Sequence, residues 1–401
     1  MPTTTYPSRL SNSTAKSNDL LQVLYEPIAA ELAEVETLLK AELRSEHPFV
    51  DELVRYGCLL GGKRLRPALL LLTAKAVGNR VSREHLTLAT VVEMIHTATL
   101  VHDDVLDEAR MRRHLATVNA RWDNEASVLL GDFLFTHAFY LASTLDSVVG
   151  CRLIGRATNI VCEGELRQKG SRGNFRLCEN EYLQIVEAKT AELTAVSCRL
   201  GAMYLGASEK LSEQMAGFGR DLGIAFQIAD DLLDVLGEER MTGKSLGTDL
   251  EKQKPTLPVI RALQLASDVD RQAILDLVNS DDRRPELLAP YLERYEANEF
   301  TRQRAMYFAH HARRRLDGLP NSAARCAGSD DRVCGQPINI GQAVPTSACT
   351  KCVVGITLLL QQPIGEVRGR LVIVVPQRCE RLANSPPRGA EIVTAGFQIQ
   401  P

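Results

Sequence analysis

Two acidic clusters with the same spacing are the first residues here that can do chemistry. HDDVLDEARMRR carries Asp103, Asp104 and Asp107, and FQIADDLLDV carries Asp230, Asp231 and Asp234, so a DDxxD pattern occurs twice, 127 residues apart. On a helix each set projects to one side. A single DDxxD is usually a solvated face or a helix start. Here each set continues an apolar stripe that should turn inward, where unpaired carboxylates are costly. Something cationic should therefore neutralise them. All-oxygen ligands suit a hard ion such as Mg²⁺, which keeps several waters and completes its octahedron with phosphate oxygens. Two such clusters facing each other can clamp one diphosphate through shared metals.

The sequence also offers positive charge for a second anion. GGKRLRP, at 61–67, places Lys63 and Arg66 three apart behind two glycines that allow close backbone approach, and Arg112 and Arg113 follow the first acidic cluster. Singly, each basic residue reads as solvated surface; together they suggest a second diphosphate site.

These groups must be positioned by helices. Apolar residues recur three and four apart from about Leu20 to about Leu316, aromatics make up only 5% of the chain, and prolines are sparse before position 326. Leu88, Val92, Ile95, Thr99, Asp103 and Asp107 step along one helix face, an apolar stripe that runs into two carboxylates. No strand–helix–strand alternation appears and no GxGxxG follows a strand, which argues against dinucleotide folds and parallel sheets. In 401 residues, 47 Lys and Arg against 50 Asp and Glu leave a net charge of −3, which gives no general reason to bind nucleic acid. No uninterrupted apolar run suggests a membrane span. Five cysteines scattered singly before position 326 show neither a disulfide framework nor metal-ligand spacing, so a reduced, cytoplasmic setting is expected.

In order along the chain, GGKRLRP, IHTATLVHDDVLDEARMRR, LLGDFLF, CEGELRQ, VEAKTAEL, GIAFQIADDLLDV and TGKSLGTDLEKQKPTLP closely resemble the trans-polyprenyl diphosphate synthases. The resemblance covers roughly residues 20–325, and seven motifs in this order are far more specific than any one of them. It implies an all-α, isoprenoid-synthase-type bundle of about ten or more helices around a central apolar tunnel. It also implies a homodimer. The implied reaction is head-to-tail condensation of isopentenyl diphosphate with an allylic diphosphate. Carried over position by position, Asp103, Asp104, Asp107, Asp230, Asp231 and Asp234 hold the Mg²⁺ ions. Arg112, Lys189, Thr190, Gln227, Lys244 and Lys254 contact the allylic substrate, with Lys189 also counted as catalytic. Lys63, Arg66, His96 and Arg113 form the isopentenyl diphosphate pocket. His96 is weak evidence alone and gains weight from standing seven residues, about two helical turns, before Asp103. Gly131, Asp132 and the segment 163–168 match family positions but read as packing and supporting residues. After Arg113 the family commonly has Gly, where this chain has His114.

The chemistry makes demands of its own. Breaking an allylic C–O bond yields a carbocation and a leaving diphosphate that cations must stabilise. The carbocation needs a dry apolar cavity. The departing diphosphate is the expected proton acceptor. Product length is expected to depend on the turns before Asp103, where Ala98 and Thr99 stand in place of the aromatic stoppers of short-chain members. Each helical turn advances about 5.4 Å, close to one isoprene unit. Products longer than fifteen carbons follow from these small residues. A terpene cyclase is disfavoured by Lys63, Arg66 and Arg113, because it has no second diphosphate to bind. A noncatalytic partner subunit is disfavoured by the two intact acidic clusters.

The segment organisation expected is a disordered tail over 1–19, the synthase domain over 20–325 and an irregular tail over 326–401. That last stretch holds seven of the 17 prolines and five of the ten cysteines, and its lone CxxC, Cys349 with Cys352, has no second pair for a zinc ribbon. RGRLVIVV reads as a short strand without a core to join. The tail is either an appended segment or the product of a reading-frame change near Cys326, and the second explains the abrupt change of composition without a new function. If the frame changed, translating the alternative frame beyond Cys326 restores a helix with a basic end; if neither other frame encodes one, the idea fails.

Overall fold

The computed structural model describes residues 24–59, 62–113, 115–236, 248–280, 285–317 and 319. The chain divides into two units, Met1–Gln362 and Pro363–Pro401, and every described residue lies in the first. The N-terminal tail, Gly61, His114, Lys244, the CxxC and the RGRLVIVV stretch lie outside the described residues.

The fold is all-α, as the apolar periodicity indicates. In order the helices are α1 (Ala29–Glu42), α2 (Pro48–Leu59), α3 (Leu65–Gly78), α4 (Arg83–Leu106), α5 (Asn124–Ser143), α6 (Val148–Gly170) and α7 (Glu179–Val186). After α7 come α8 (Glu192–Met203), α9 (Glu209–Leu236), α10 (Leu257–Leu265), α11 (Asp268–Asn279), α12 (Pro285–Arg294) and α13 (Ala297–Arg314). The only strands among the described residues are β1 (Met111–Arg112) and β2 (Leu115–Ala116), an antiparallel hairpin pairing Met111 with Ala116 and Arg112 with Leu115.

The two long helices α4 and α9 carry the acidic clusters and organise the core. Ser82 and His85 close a capping box at the start of α4, and His85 Nε2 also meets the Gly201 carbonyl at 3.2 Å. Periodicity predicts one apolar stripe on α4, but from Thr87 to Ile95 every residue is buried. Helices α1, α3, α5 and α8 pack around it, so burial is not confined to one face. Helix α9 lies between α8 and α13, and its glycines let backbones come close. A Cβ on Gly219 would stand 2.4 Å from the Thr194 carbonyl oxygen, which belongs to α8.

Between α7 and α8 the chain makes a π-helical turn, Glu187–Ala191, which carries Lys189 and Thr190. Such turns insert an extra residue and re-aim the side chains they hold. Helix α6 packs against this turn at Gly164, where a Cβ would stand 2.6 Å from the Lys189 nitrogen. The glycine of CEGELRQ thus sets how closely α6 approaches Lys189.

Helix α5 is 20 residues long and apolar enough to cross a membrane by length and composition, a property the sequence reading did not register. Its buried side, with Leu130, Leu134, Ala138 and Leu141, packs within the main core, where α5 lies against α4. Val128, Leu129 and Tyr140 remain exposed on its other side.

The close approach of α9 to α8 is testable at Gly219. Gly219→Ala forces a methyl group against backbone and is expected to cost about 1–3 kcal/mol, a fall of several degrees in thermal midpoint. An unchanged midpoint would contradict this packing.

Candidate active site

The first acidic cluster stands where helix α4 ends. Asp103 and Asp104 lie in its last turn and Asp107 is the C-cap residue. The free carbonyls of that turn already present partial negative charge, so three carboxylates there intensify the demand for cations. The structure meets it residue by residue. Asp104 is buried, 1% exposed, and accepts hydrogen bonds from Arg112 Nε at 3.0 Å and Arg112 Nη2 at 2.8 Å on Oδ1, with Nε also 3.2 Å from Oδ2. Burial raises its carboxyl above the ordinary range, against the pull of Arg112. Asp103 lies 3.9 Å from Lys189 Nζ and is likewise raised by burial. Asp107 pairs with Arg172 Nη2 at 3.1 Å and Lys252 Nζ at 3.1 Å. Burial pushes Asp107 up, but Lys254 and Lys252 outweigh it and hold the group below its usual value.

Arg112 reaches back to Asp104 because the chain reverses directly after α4, where Glu108 takes a left-handed φ of 52° and the Ala109 nitrogen donates to the Asp104 carbonyl at 2.9 Å. The hairpin is anchored from below. Tyr56 donates its hydroxyl to the Ala116 carbonyl at 2.7 Å, Arg121 lies over the rings of Tyr56 and Trp122, and Thr117 Oγ1 donates to the Ala109 carbonyl at 2.6 Å.

The second cluster occupies the last described turns of α9. Asp231, 6% exposed, accepts from the Tyr182 hydroxyl at 2.6 Å and from Gln227 Nε2 at 2.8 Å. Thr190 Oγ1 donates to Gln227 Oε1 at 2.8 Å, so the π turn fixes which way the Gln227 amide faces. Burial, then the neighbouring Asp249, raise Asp231 to about 7. Asp234 accepts from the Asp249 backbone nitrogen at 3.2 Å. Asp230 and Asp234 are partly exposed.

Lys254 joins the clusters. It donates to Asp249 Oδ1 at 2.9 Å and lies within electrostatic reach of Asp103, Asp107 and Asp231. Burial pulls its ammonium down, yet Asp249 and Asp107 outweigh that and hold it above its ordinary value. Neighbouring residues of the π turn serve both sets: Lys189 Nζ lies 3.9 Å from Asp103, and Thr190 holds the Gln227 that donates to Asp231. Lys189 also bonds Glu165 Oε2 at 2.6 Å and Gln168 Oε1 at 2.9 Å.

The residues expected at a second anion site are placed as follows. Arg113 packs its guanidinium where a Cβ on Gly62 would stand, 2.2 Å from Nη2. Burial first, then Arg66 and Arg113, push His96 well below its usual value, so it is neutral. Arg66 has a buried Nε without a hydrogen-bond partner, and burial brings it down to about 10, still protonated near neutral pH. Lys63 is exposed at the edge. Between Lys63 and Arg66, Arg64 takes a left-handed φ of 52° and pairs with Glu36 of α1 and with buried Glu93, whose Oε1 lies 2.8 Å from Nη1.

Several of these residues were not legible as site residues. Tyr182, Arg172, Lys252, Asp249, Glu93 and Arg64 gave no distinct signal, although Arg64 lies inside GGKRLRP and Lys252 and Asp249 lie inside the last motif. Glu165 and Gln168 read as packing residues, and here they hold Lys189. Ala98 and Thr99 also separate: Ala98 is closed within the main core, whereas Thr99 is partly exposed on the face leading to Asp103.

The carboxylates fit a hard divalent ion of a particular kind. Among the described residues no three His, Cys, Asp or Glu side chains gather closely enough to enclose an ion unaided. Oxygen donors spread over two helices suit Mg²⁺, which is commonly held by one or two carboxylates with water and substrate phosphates. Asp104 and Asp231 differ from the other four aspartates in being buried, with their oxygens held by Arg112, Tyr182 and Gln227, whereas the other four are partly exposed.

The raised value of Asp231 carries a stability consequence with a definite sign. A carboxyl at about 7 folded and 3.8 otherwise is protonated more readily in the native state. Its stabilising contribution is complete below the lower value and is lost as pH rises through the higher one. In metal-free buffer, Asp231→Asn is expected to gain thermal stability relative to the unsubstituted protein between pH 5 and pH 8. A difference in midpoint that does not change with pH would refute this.

The family model described as polyprenyl synthetase matches residues 47–294. The octaprenyl diphosphate synthase of Escherichia coli (strain K12) is 37% identical over 308 residues, covering 76% of this chain and 95% of that protein. The geranyl-diphosphate-specific all-trans-nonaprenyl-diphosphate synthase of Rhodobacter capsulatus is 34% identical over 310 residues, covering 77% and 95%. The crystal structure of a decaprenyl diphosphate synthase from Rhodobacter capsulatus superposes with a TM-score of 0.75 at 32% identity, covering 85% of this chain and 98% of that one. With its paired aspartate helices around one cleft and these likenesses along most of its length, the chain belongs to the polyprenyl synthetase family.

Proposed function

We propose that this protein is a prenyltransferase that condenses isopentenyl diphosphate head to tail with an allylic diphosphate and releases a product longer than fifteen carbons. The observation that carries this reading is the π turn, where Lys189 stands 3.9 Å from Asp103 and its neighbour Thr190 holds the Gln227 that donates to Asp231, so that one turn of chain serves both aspartate clusters. The second cationic pocket, with Arg66, Arg113 and neutral His96, supplies the site that a cyclase does not need.

Asp103, Asp107, Asp230 and Asp234 would hold Mg²⁺, which when bound would supply charge neutralisation for the allylic diphosphate and its leaving group. Asp104 and Asp231 drop out of that ligand set in this reading: they orient Arg112, Tyr182 and Gln227. Lys189, steadied by Glu165 and Gln168, and Lys254 add fixed positive charge where the C–O bond breaks. Thr190 and Gln227 orient polar groups from the π turn and α9. Lys244 keeps its family assignment to this substrate, and Lys63, Arg66, His96 and Arg113 hold the extender diphosphate. Buried α4 keeps water from the allylic cation. The departing diphosphate takes the proton.

Relatives named for octaprenyl and nonaprenyl products support the long product. The synthase domain is assigned to 20–325, around the matched 47–294, with the segment from 326 outside it. We assign a cytoplasmic homodimer, with the exposed Val128, Leu129 and Tyr140 of α5 supporting a face for a second copy.

Purified protein with Mg²⁺, isopentenyl diphosphate and each allylic primer is expected to form prenyl products beyond fifteen carbons; no turnover with any primer would sink the reading. Thr99→Phe is expected to shorten the products, and Ala98→Phe to do so with a loss of stability from overpacking. Chromatography showing the same lengths in both variants would defeat the wall assigned to this turn.

A further inference from the structure

Asp107 stands between two cations that belong to none of the family positions assigned above. Arg172 lies in the loop after α6, and Lys252 follows the helical turn Thr248–Glu251. Each reaches a different oxygen of the same carboxylate: Arg172 Nη2 lies 3.1 Å from Oδ1 and Lys252 Nζ 3.1 Å from Oδ2. Two positive charges thus meet one negative charge, with Lys254 close enough to be felt as well.

The two loops are built as one unit. The Gly173 nitrogen donates to the Gln253 carbonyl at 2.9 Å, and Phe175 and Leu250 share one apolar cluster. Gly173 has φ 75° and Gln253 φ 52°, and the Gln253 conformation is one that a side-chain-bearing residue keeps only when its surroundings impose it. Those surroundings include hydrogen bonds from the Gln253 nitrogen to the Leu250 carbonyl at 2.9 Å and from the Lys254 nitrogen to the Asp249 carbonyl at 2.8 Å. The arms are therefore anchored at their bases, while the Arg172 side chain is 32% exposed and the Lys252 side chain 23% exposed at their tips.

Arg172 is also under-used. Its Nε is buried without a hydrogen-bond partner. A guanidinium fork of this kind suits the paired oxygens of a phosphate better than one carboxylate oxygen. We infer that Arg172 and Lys252 form a two-armed clamp for the allylic diphosphate, resting on Asp107 and contacting phosphate oxygens when substrate binds. The inference rests on the diphosphate site proposed above and adds two substrate-binding residues to it. The clamp also holds the pyrophosphate product, so its strength bears on product release as well as on substrate binding.

The test compares the two substrates. Arg172→Gln is expected to raise KM for the allylic diphosphate and the inhibition constant of inorganic pyrophosphate by about tenfold, the scale of one charge-assisted hydrogen bond. KM for isopentenyl diphosphate should stay within about twofold, because that pocket is built from other residues. Arg172→Lys should recover part of the loss, and adding Lys252→Gln should deepen it. A merely structural loop tie predicts instead a lowered thermal midpoint and equal weakening of both substrates, and that pattern overturns the clamp. Unchanged constants in an active enzyme overturn it too. An unsubstituted protein with no Mg²⁺-dependent turnover overturns the functional reading and the clamp together, which distinguishes the two failures.

Discussion

Carboxylates crowded at the end of a helix repel each other and the helix's own free carbonyls, and the repulsion grows as water is withdrawn. This protein sets two such groups around one cleft, and much of the described site answers that constraint. Arg112 returns to Asp104 because the chain reverses at Glu108, just past the end of α4. Lys189 comes from a π turn, Lys252 and Lys254 from the chain after α9, and Arg172 from the loop after α6. The cations arrive from different elements because no single helix can surround its own C-terminal end.

The same constraint separates the six aspartates into two kinds. Asp104 and Asp231 are buried, and their oxygens are taken by protein donors. They fix the shape of the cleft. Asp103, Asp107, Asp230 and Asp234 remain nearer to solvent, where an incoming ion and a diphosphate can compete for them. A carboxylate fully satisfied by protein is a poor place to bind a metal, while a carboxylate with no partner at all is costly to bury. Within each DDxxD the middle aspartate is buried and the outer two are partly exposed.

Close helix contacts make the arrangement possible. Gly164 lets α6 approach the π turn and Gly219 lets α9 approach α8, so the shared wall of the cleft forms from backbones at distances that a methyl group would forbid. The π turn then aims Lys189 toward Asp103 while Thr190 reaches Gln227. On the other side of the site, left-handed Arg64, tied to Glu36 and Glu93, fixes the loop that offers Lys63 and Arg66. Both groups of charged residues therefore depend on neighbours that position them without belonging to either group.

The residues that carry charge at regular spacing were legible from the chain alone. Helical periodicity announced an all-α fold, repeated DDxxD announced two acidic helix faces, and ordered motifs announced the family, because local spacing translates directly into a helix face. Tertiary structure decided what depends on contacts between distant segments. It separated Asp104 and Asp231 from the other four aspartates, buried α4 over several turns on every side, and placed Ala98 in the core but Thr99 near the cleft. It also brought Tyr182, Arg172 and Lys252 to carboxylates 49, 65 and 145 residues away in sequence. A tyrosine or a loop arginine has no spacing that marks it. Its role arises only when folding brings a buried charge within hydrogen-bonding distance.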